Sequence, residues 1–326
     1  MRDTSTTSTT GMASERLGAV VRGMPHRIGT GFSAYHFSEE MFGGRMDPLL
    51  MVDHFVMTAP TFEPHLHAGL SAVTALFEDS RGSFLNRDTL GRNIALGGGD
   101  LYWLAAASGA VHEERPADGA RVHALQIFVN LPARLKAAPP RALHVQARSV
   151  PVLQGPGHRV RVVLGRSGDA AGADGTPEEM TLLDGFLSPG GGYTHTLLEG
   201  RQAWVYAVSG AVAVHCHGET RMLDAGSATT VAAGALADVT VASREAAHFV
   251  LLAGVPIRER FYKYGPLVMS SAAEVRRTLE RYAEGGYGQI PADVPAEMSA
   301  GVPAETRAKT TATSTATSAA TAESEG

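Results

Sequence analysis

Two short patterns hold the residues best suited to chemistry, His65-Leu66-His67 and His112-Glu113-Glu114. In an extended strand, side chains two positions apart leave the same face. His65 and His67 can therefore converge on one point, and the same geometry pairs His112 with Glu114 rather than with Glu113. Three imidazoles and one carboxylate suit a borderline divalent ion such as Fe(II), with positions left for water, O2 or substrate. Neither pattern is specific by itself. The chain has 13 histidines, and a second His-x-His pair stands at His215-Cys216-His217. Histidines on a solvent-facing strand are the plainer reading of either pair.

The elements that must position these groups read as strands. Ala72–Phe77, Ala124–Val129, Val160–Leu164, Trp204–Val208 and Phe249–Leu252 are short apolar runs bounded by Gly, Pro and Asp. Such runs suit buried strands, and many of them in series imply an all-β sandwich or barrel. The helical exception is Ala272–Ala283, with Val275, Leu279 and Tyr282 at helical spacing, Ser270 or Ser271 as cap and Gly285-Gly286 as stop. The chain also reads as faintly doubled. Placing Asp100 on Ser227 sets Val239 opposite His112 and Val241 opposite Glu114, so the second half has lost both polar side chains.

Length and composition bound the rest. The chain has 326 residues, 44% hydrophobic and 19% charged, enough for two globular domains. A net charge of −5 without a long basic run speaks against direct nucleic-acid binding. No apolar stretch is long enough to cross a membrane. The Thr/Ser-rich start lacks the apolar segment of a secretory signal, and the single cysteine, Cys216, has no partner for an internal disulfide. A cytoplasmic, monomeric protein is the expectation. Residues 1–14 and 291–326, dominated by Thr, Ser, Ala, Pro and Glu, read as unstructured tails. The expected domains are 15–140, metal-binding, and 141–290, with a degenerate site and the helix.

The text around the two patterns resembles the pirin family of bicupins. The resemblance rests on Asp47-Pro48-Leu49-Leu50-Met51-Val52-Asp53-His54-Phe55, Pro64-His65-Leu66-His67-Ala68-Gly69 and Asn86-Arg87-Asp88-Thr89-Leu90-Gly91. It continues through Gly99-Asp100-Leu101-Tyr102-Trp103, Ser108-Gly109-Ala110-Val111-His112-Glu113-Glu114 and Leu125-Gln126-Ile127-Phe128-Val129-Asn130-Leu131-Pro132, and closes on Tyr264-Gly265-Pro266-Leu267-Val268-Met269. It covers residues 17–290 and is strongest from 47 to 140. The fold it implies is two tandem cupin β-barrels or sandwiches with a short C-terminal helix.

Carried over by motif, the metal ligands are His65, His67, His112 and Glu114. Fe(II) is the expected metal, with Mn, Ni, Co, Cu and Zn as alternatives. Where this chain has Leu66, Ala68 and Ser71, the family usually has Pro, Arg and Glu. Ser71 removes a carboxylate that general cupins offer, and Ala68 is expected near the entrance, where it would alter substrate preference. The resemblance implies a quercetin 2,3-dioxygenase-type enzyme acting on a flavonol or related enol with O2, in which Glu114, if held only loosely by the metal, would have the catalytic role of holding or relaying the hydroxyl proton. Its alternative is a non-catalytic, iron-dependent, redox-responsive regulator that binds a transcription factor or metabolic enzyme. His54 and His123 are candidates for residues around the metal ligands, each with a structural role as the competing reading. His195 stands near the place where the second cupin would put a ligand.

Overall fold

The computed structural model describes residues 15–291. The expected tails at 1–14 and 291–326 therefore lie outside the described residues, except for Pro291. Pro291 packs on the fold, its carbonyl accepting a hydrogen bond from Arg87 Nη1 at 3.1 Å.

The architecture is all-β, as two barrel-like halves of like construction. The first sheet runs, from edge to edge, Arg141–Val145, Leu101–Ala105, Leu70–Leu76, Val122–Asn130, Leu49–Met57, Phe32–Ser38 and Met24–Ile28. Against it stands a smaller sheet of His65–His67, Ala110–Pro116, Phe84–Asp88 and Asn93–Leu96. The second half repeats the plan. Its large sheet runs Val21–Arg22, Ser227–Val231, Gln202–Ser209, Ala247–Gly254, Met180–Leu187, His158–Leu164 and Val152–Gly155. Its small sheet is Gly192–Leu197, Ala237–Ala242, Val212–Cys216 and Glu219–Leu223.

The apolar runs form strands because each side of the large sheets has something to cover. Along Val122–Asn130, Leu125, Ile127 and Val129 enter a core shared with Val163, Leu182, Trp204, Val250 and Leu252 of the second half. The alternate residues Val122 and Ala124 pack inside the first barrel with Phe55, Phe84 and Leu104. Both faces of the strand are thus buried, which is why the run reads as continuously apolar. Trp204 stacks on Tyr206 with ring centroids 5.2 Å apart, and Phe37 meets both rings edge-on. These aromatic contacts bind the two barrels together.

The expected boundaries do not follow the packing. Arg141–Val145 completes the first sheet by pairing with Leu101–Ala105, so that sheet extends past residue 140. Residues 15–22 cross to the second barrel: Val21 pairs with Ala228, and Leu17 is fully buried in the second barrel's core. In return, the hairpin of Tyr262–Tyr264 and Leu267–Met269 lies on the first barrel, with Val268 N donating to Ala68 O at 2.9 Å. The helix Ala272–Ala283 follows it, capped by Ser271, whose side chain accepts from Glu274 N. Val275 and Thr278 are buried, whereas Leu279 and Tyr282 are 36% and 40% exposed, so only part of the expected apolar stripe is used.

Candidate metal centre

The strands His65–His67 and Ala110–Pro116 pair antiparallel, with His65 opposite His112 and His67 opposite Ala110. Alternation sends His65, His67 and His112 to one side. Their ring centroids lie 4.8, 4.8 and 4.7 Å apart, nearly an equilateral triangle, and one nitrogen from each ring lies within 4.8 Å of the other two. His67 Nε2 and His112 Nε2 are 2.9 Å apart. His65 Nδ1 donates to Glu63 O at 2.8 Å, which leaves the Nε2 lone pair free to face the trio.

Electrostatics favour neutral, ligating imidazoles. Burial, with the neighbouring rings adding to it, pushes His67 well below the usual histidine range and His112 down to about 3. Burial also lowers His65. Three desolvated lone pairs crowded together are unfavourable by themselves and suit a cation placed among them.

Glu114 shares the cavity but stands apart from the trio. It opposes Asn86 across the sheet, and both carboxylate oxygens lie within hydrogen-bond reach of Thr74 Oγ1, at 2.7 and 2.8 Å. Thr74 Oγ1 is also 2.9 Å from Gln126 Oε1. Burial raises the Glu114 carboxyl to about 7, against the opposing effect of the Thr74 hydrogen bond. Glu113, on the other face, pairs with Arg87 instead. The cavity over the trio has a volume of about 170 Å³ and is lined mainly by apolar side chains, among them Phe32, Phe55, Phe84 and Phe128. Phe62, also lining it, is 40% exposed and forms part of its open side.

His54 and His123 do not surround this centre. They lie on the opposite faces of their strands, toward the second barrel, because residues 51, 53, 55 and 57 take the cavity-facing positions. His54 Nδ1 is 2.5 Å from Tyr206 Oη, His54 Nε2 is 2.6 Å from His123 Nε2, and His123 Nδ1 bonds to Asp79 at 2.7 Å. Both are inter-barrel structural histidines. Ala68 is likewise corrected. It is fully buried beneath Leu267 and Val275, so it lines no entrance. Thr74 and Gln126 were missed as site residues. A lone polar side chain between Ala124 and Phe128 on an otherwise apolar face was the signal for Gln126.

In the second barrel the corresponding pairing sets His195 opposite Val239 and Leu197 opposite Ala237. His195 thus stands where His65 does, but Leu197 and Val239 replace His67 and His112. The doubling expected from sequence is visible in this register. His215 is exposed and bonds Thr220.

Residues 14–129 match the family model for pirin, and residues 182–288 match that for the pirin C-terminal cupin domain. A Pseudomonas aeruginosa protein provisionally named a quercetin 2,3-dioxygenase is 32% identical, over 74% of this chain and 87% of its own length. The chain belongs to the pirin family. Human pirin is 29% identical over 74% of this chain and 84% of its own length. A crystal structure of quercetin 2,3-dioxygenase from Acinetobacter baumannii superposes with a TM-score of 0.74 at 27% identity, covering 85% of this chain and 99% of that one. Among the described residues of this pirin-family protein, no helix is long and apolar enough to cross a membrane.

Proposed function

We propose that this pirin-family protein is a dioxygenase of the quercetin 2,3-dioxygenase type, holding one divalent metal, Fe(II) by preference, on His65, His67 and His112. The observation that carries the reading is the triangle of buried, neutral imidazoles under an apolar cavity, with a buried carboxyl beside it. When bound, the metal supplies Lewis acidity toward an enolate oxygen and redox chemistry toward O2.

Glu114 serves as the acid–base group and as a further ligand within reach of the same cavity. Its carboxyl, raised to about 7 by burial, is matched to taking a proton from an enolic hydroxyl near neutral pH and returning it later. Thr74 fixes the direction of that carboxylate. Phe32, Phe55, Phe84 and Phe128 keep water from the reacting atoms.

The cavity's 170 Å³ lies below the roughly 300 Å³ at which pockets for drug-sized ligands begin. A three-ring flavonol therefore places its chelating end inside and leaves the remainder against Phe62, whereas a small enediol fits whole.

The test is O2 uptake and loss of flavonol absorbance by Fe(II)-loaded protein, with multiple turnovers per chain. His112→Ala should abolish both, and Glu114→Gln should leave much of the metal but little turnover. Loaded protein that consumes no O2 with a flavonol or with a small enediol would overturn the enzymatic reading and leave the redox-responsive regulator in its place.

A further inference from the structure

The second barrel has lost the means to hold a metal but retains a polar cavity beside the residue that replaces His65. This cavity, of about 340 Å³, has Arg166, Ser167, Glu179, Thr181, His195, Leu198 and Arg201 in its lining, together with Gly168 and Thr196. Its volume falls within the range of small-molecule sites, roughly 300–1,000 Å³. Four of its polar residues are 4–5% exposed: Ser167, Thr181, His195 and Arg201. Buried polar groups are tolerated when hydrogen-bonded, and all four make such bonds within the protein, His195 through one ring nitrogen only.

Two of these groups are poised toward the opening. His195 Nδ1 lies 2.8 Å from Ser167 Oγ, which lies 2.6 Å from Tyr193 Oη. In the sense Tyr193 to Ser167 to His195, each hydroxyl donates onward, and the imidazole is left with its proton on Nε2. That nitrogen has no hydrogen-bond partner among the described residues. Arg201 Nη2 is fixed by Thr181 Oγ1 at 3.2 Å and by Ala253 O at 3.1 Å. Its Nη1 is held by the Glu179 carboxylate at 2.9 Å. The Arg201 side chain is 6% exposed and that of Glu179 is 72% exposed. A buried guanidinium thus carries a carboxylate that can swing into solvent and be exchanged for another.

Beneath His195 the barrel is closed by Leu197, Val239 and Val241, all fully buried apolar residues. Nothing there offers a metal ligand, so the occupant must be held by hydrogen bonds and charge. One buried guanidinium, that of Arg201, and one imidazole N–H match a carboxylate, the exposed Arg166 adds positive charge at the rim, and the exposed Leu198 gives an apolar body something to rest on.

We propose that the second barrel binds a small organic carboxylate, its carboxylate displacing Glu179 from Arg201 and accepting from His195 Nε2, its body against Leu198. Burial, and next the charge of Arg201, lower the histidine to about 4, which keeps the imidazole neutral and able to donate from Nε2 alone.

Benzoate titrated into the full-length protein, followed by calorimetry and by the His195 ring nitrogen resonances, tests this. Saturable binding is expected, with His195 Nε2 shifted and the metal content unchanged. Glu179→Gln removes the competing carboxylate and should tighten binding. Leu198→Glu places like charge at the rim and should weaken it, and both residues are exposed enough for the variants to fold. His195→Phe should weaken binding about tenfold or more, the worth of a hydrogen bond to a charged acceptor. His67→Ala, which acts on the other barrel, should leave binding intact. The proposal is overturned by no saturable binding up to about 10 mM, by affinity indifferent to both exposed variants, or by loss of binding in His67→Ala. Inorganic phosphate binding equally well would overturn the carboxylate assignment.

Discussion

Thr74 Oγ1 sits between the two carboxylate oxygens of Glu114, 2.7 Å from one and 2.8 Å from the other. A hydroxyl has one proton, so it can donate to only one oxygen at a time, and the second contact is available when the first breaks. The arrangement holds Glu114 beside the three histidines without fixing it to them. Thr74→Val keeps the shape and removes the hydroxyl. It should lower kcat for an enolic substrate while leaving bound metal near the wild-type level, and cost about 1–3 kcal/mol of stability because a buried carboxyl loses its partner. Elemental analysis, steady-state kinetics and denaturant unfolding check the three parts separately.

The metal count follows from the register of the two barrels. His65, His67 and His112 converge, whereas His195 faces Val239. Purified protein reconstituted with Fe(II) should hold one ion per chain. His67→Ala and His112→Ala should each remove most of it, and Glu113→Ala should not, because Glu113 faces Arg87 across the outer face. Two tightly held ions per chain would contradict the reading of the second barrel.

The strand pattern, the helix 272–283 and the vanished ligands of the second half were all legible in the sequence, because each depends on local alternation or spacing. What stayed hidden depends on which sheet lies behind a strand. His54 and Asp53 are neighbours on one strand, yet Asp53 lines the metal cavity and His54 meets Tyr206 of the other barrel. Only the inter-barrel contact decides which side is which. The burial of Ala68 was hidden for the same reason. It follows from a hairpin some 200 residues later in the chain that folds back over the His-x-His strand.

That hairpin is anchored by Lys136, whose Nζ donates to Gly69 O, Asn130 Oδ1 and Val268 O, each at 2.7 Å. Lys136→Met takes the ammonium from two backbone carbonyls and leaves Asn130 Oδ1 with only Leu131 N as donor, and should cost about 1–3 kcal/mol for each acceptor left unpaired and out of reach of water. Gly69→Ala should be as damaging. Gly69 has a φ of +73°, and an added Cβ would meet Val268 O at 1.8 Å. Loss of metal at a lower temperature than global unfolding in either variant would show that the hairpin braces the metal strand.

Acid sensitivity should come from between the barrels. Burial pushes the Asp184 carboxyl up, but the His248 hydrogen bond and the charges of His248 and Arg161 outweigh it and hold the carboxyl below its ordinary value. Its contribution is therefore complete above the unfolded carboxyl pKa of about 4 and is lost as pH falls through the lower folded value. Arg161 Nη2 also donates to Gly99 O of the first barrel at 2.6 Å, so the loss reaches both halves. Asp184→Asn should melt well below wild type at pH 7, and the gap between the two should narrow below pH 4. A gap that stays constant down to pH 3 would mean the charge is not what matters.

Substrate size should be read at Phe62 rather than at Ala68. Ala68→Arg forces a long cation beneath Leu267 and Val275 and should behave as a folding defect, with lowered melting temperature and no selective change in substrate use. Phe62 is the partly exposed aromatic of the cavity lining, packed edge-on against Phe32 at 5.2 Å. Phe62→Ala removes the surface on which the outer rings of a flavonol would rest and leaves the histidines and Glu114 in place. It should raise KM for a three-ring flavonol while changing that for a small enediol little, since the smaller molecule is contained by the inner cavity. Comparing KM and kcat for the two substrates in wild type and Phe62→Ala distinguishes this from general damage, which would lower kcat for both. Equal effects on both substrates would place the outer rings elsewhere.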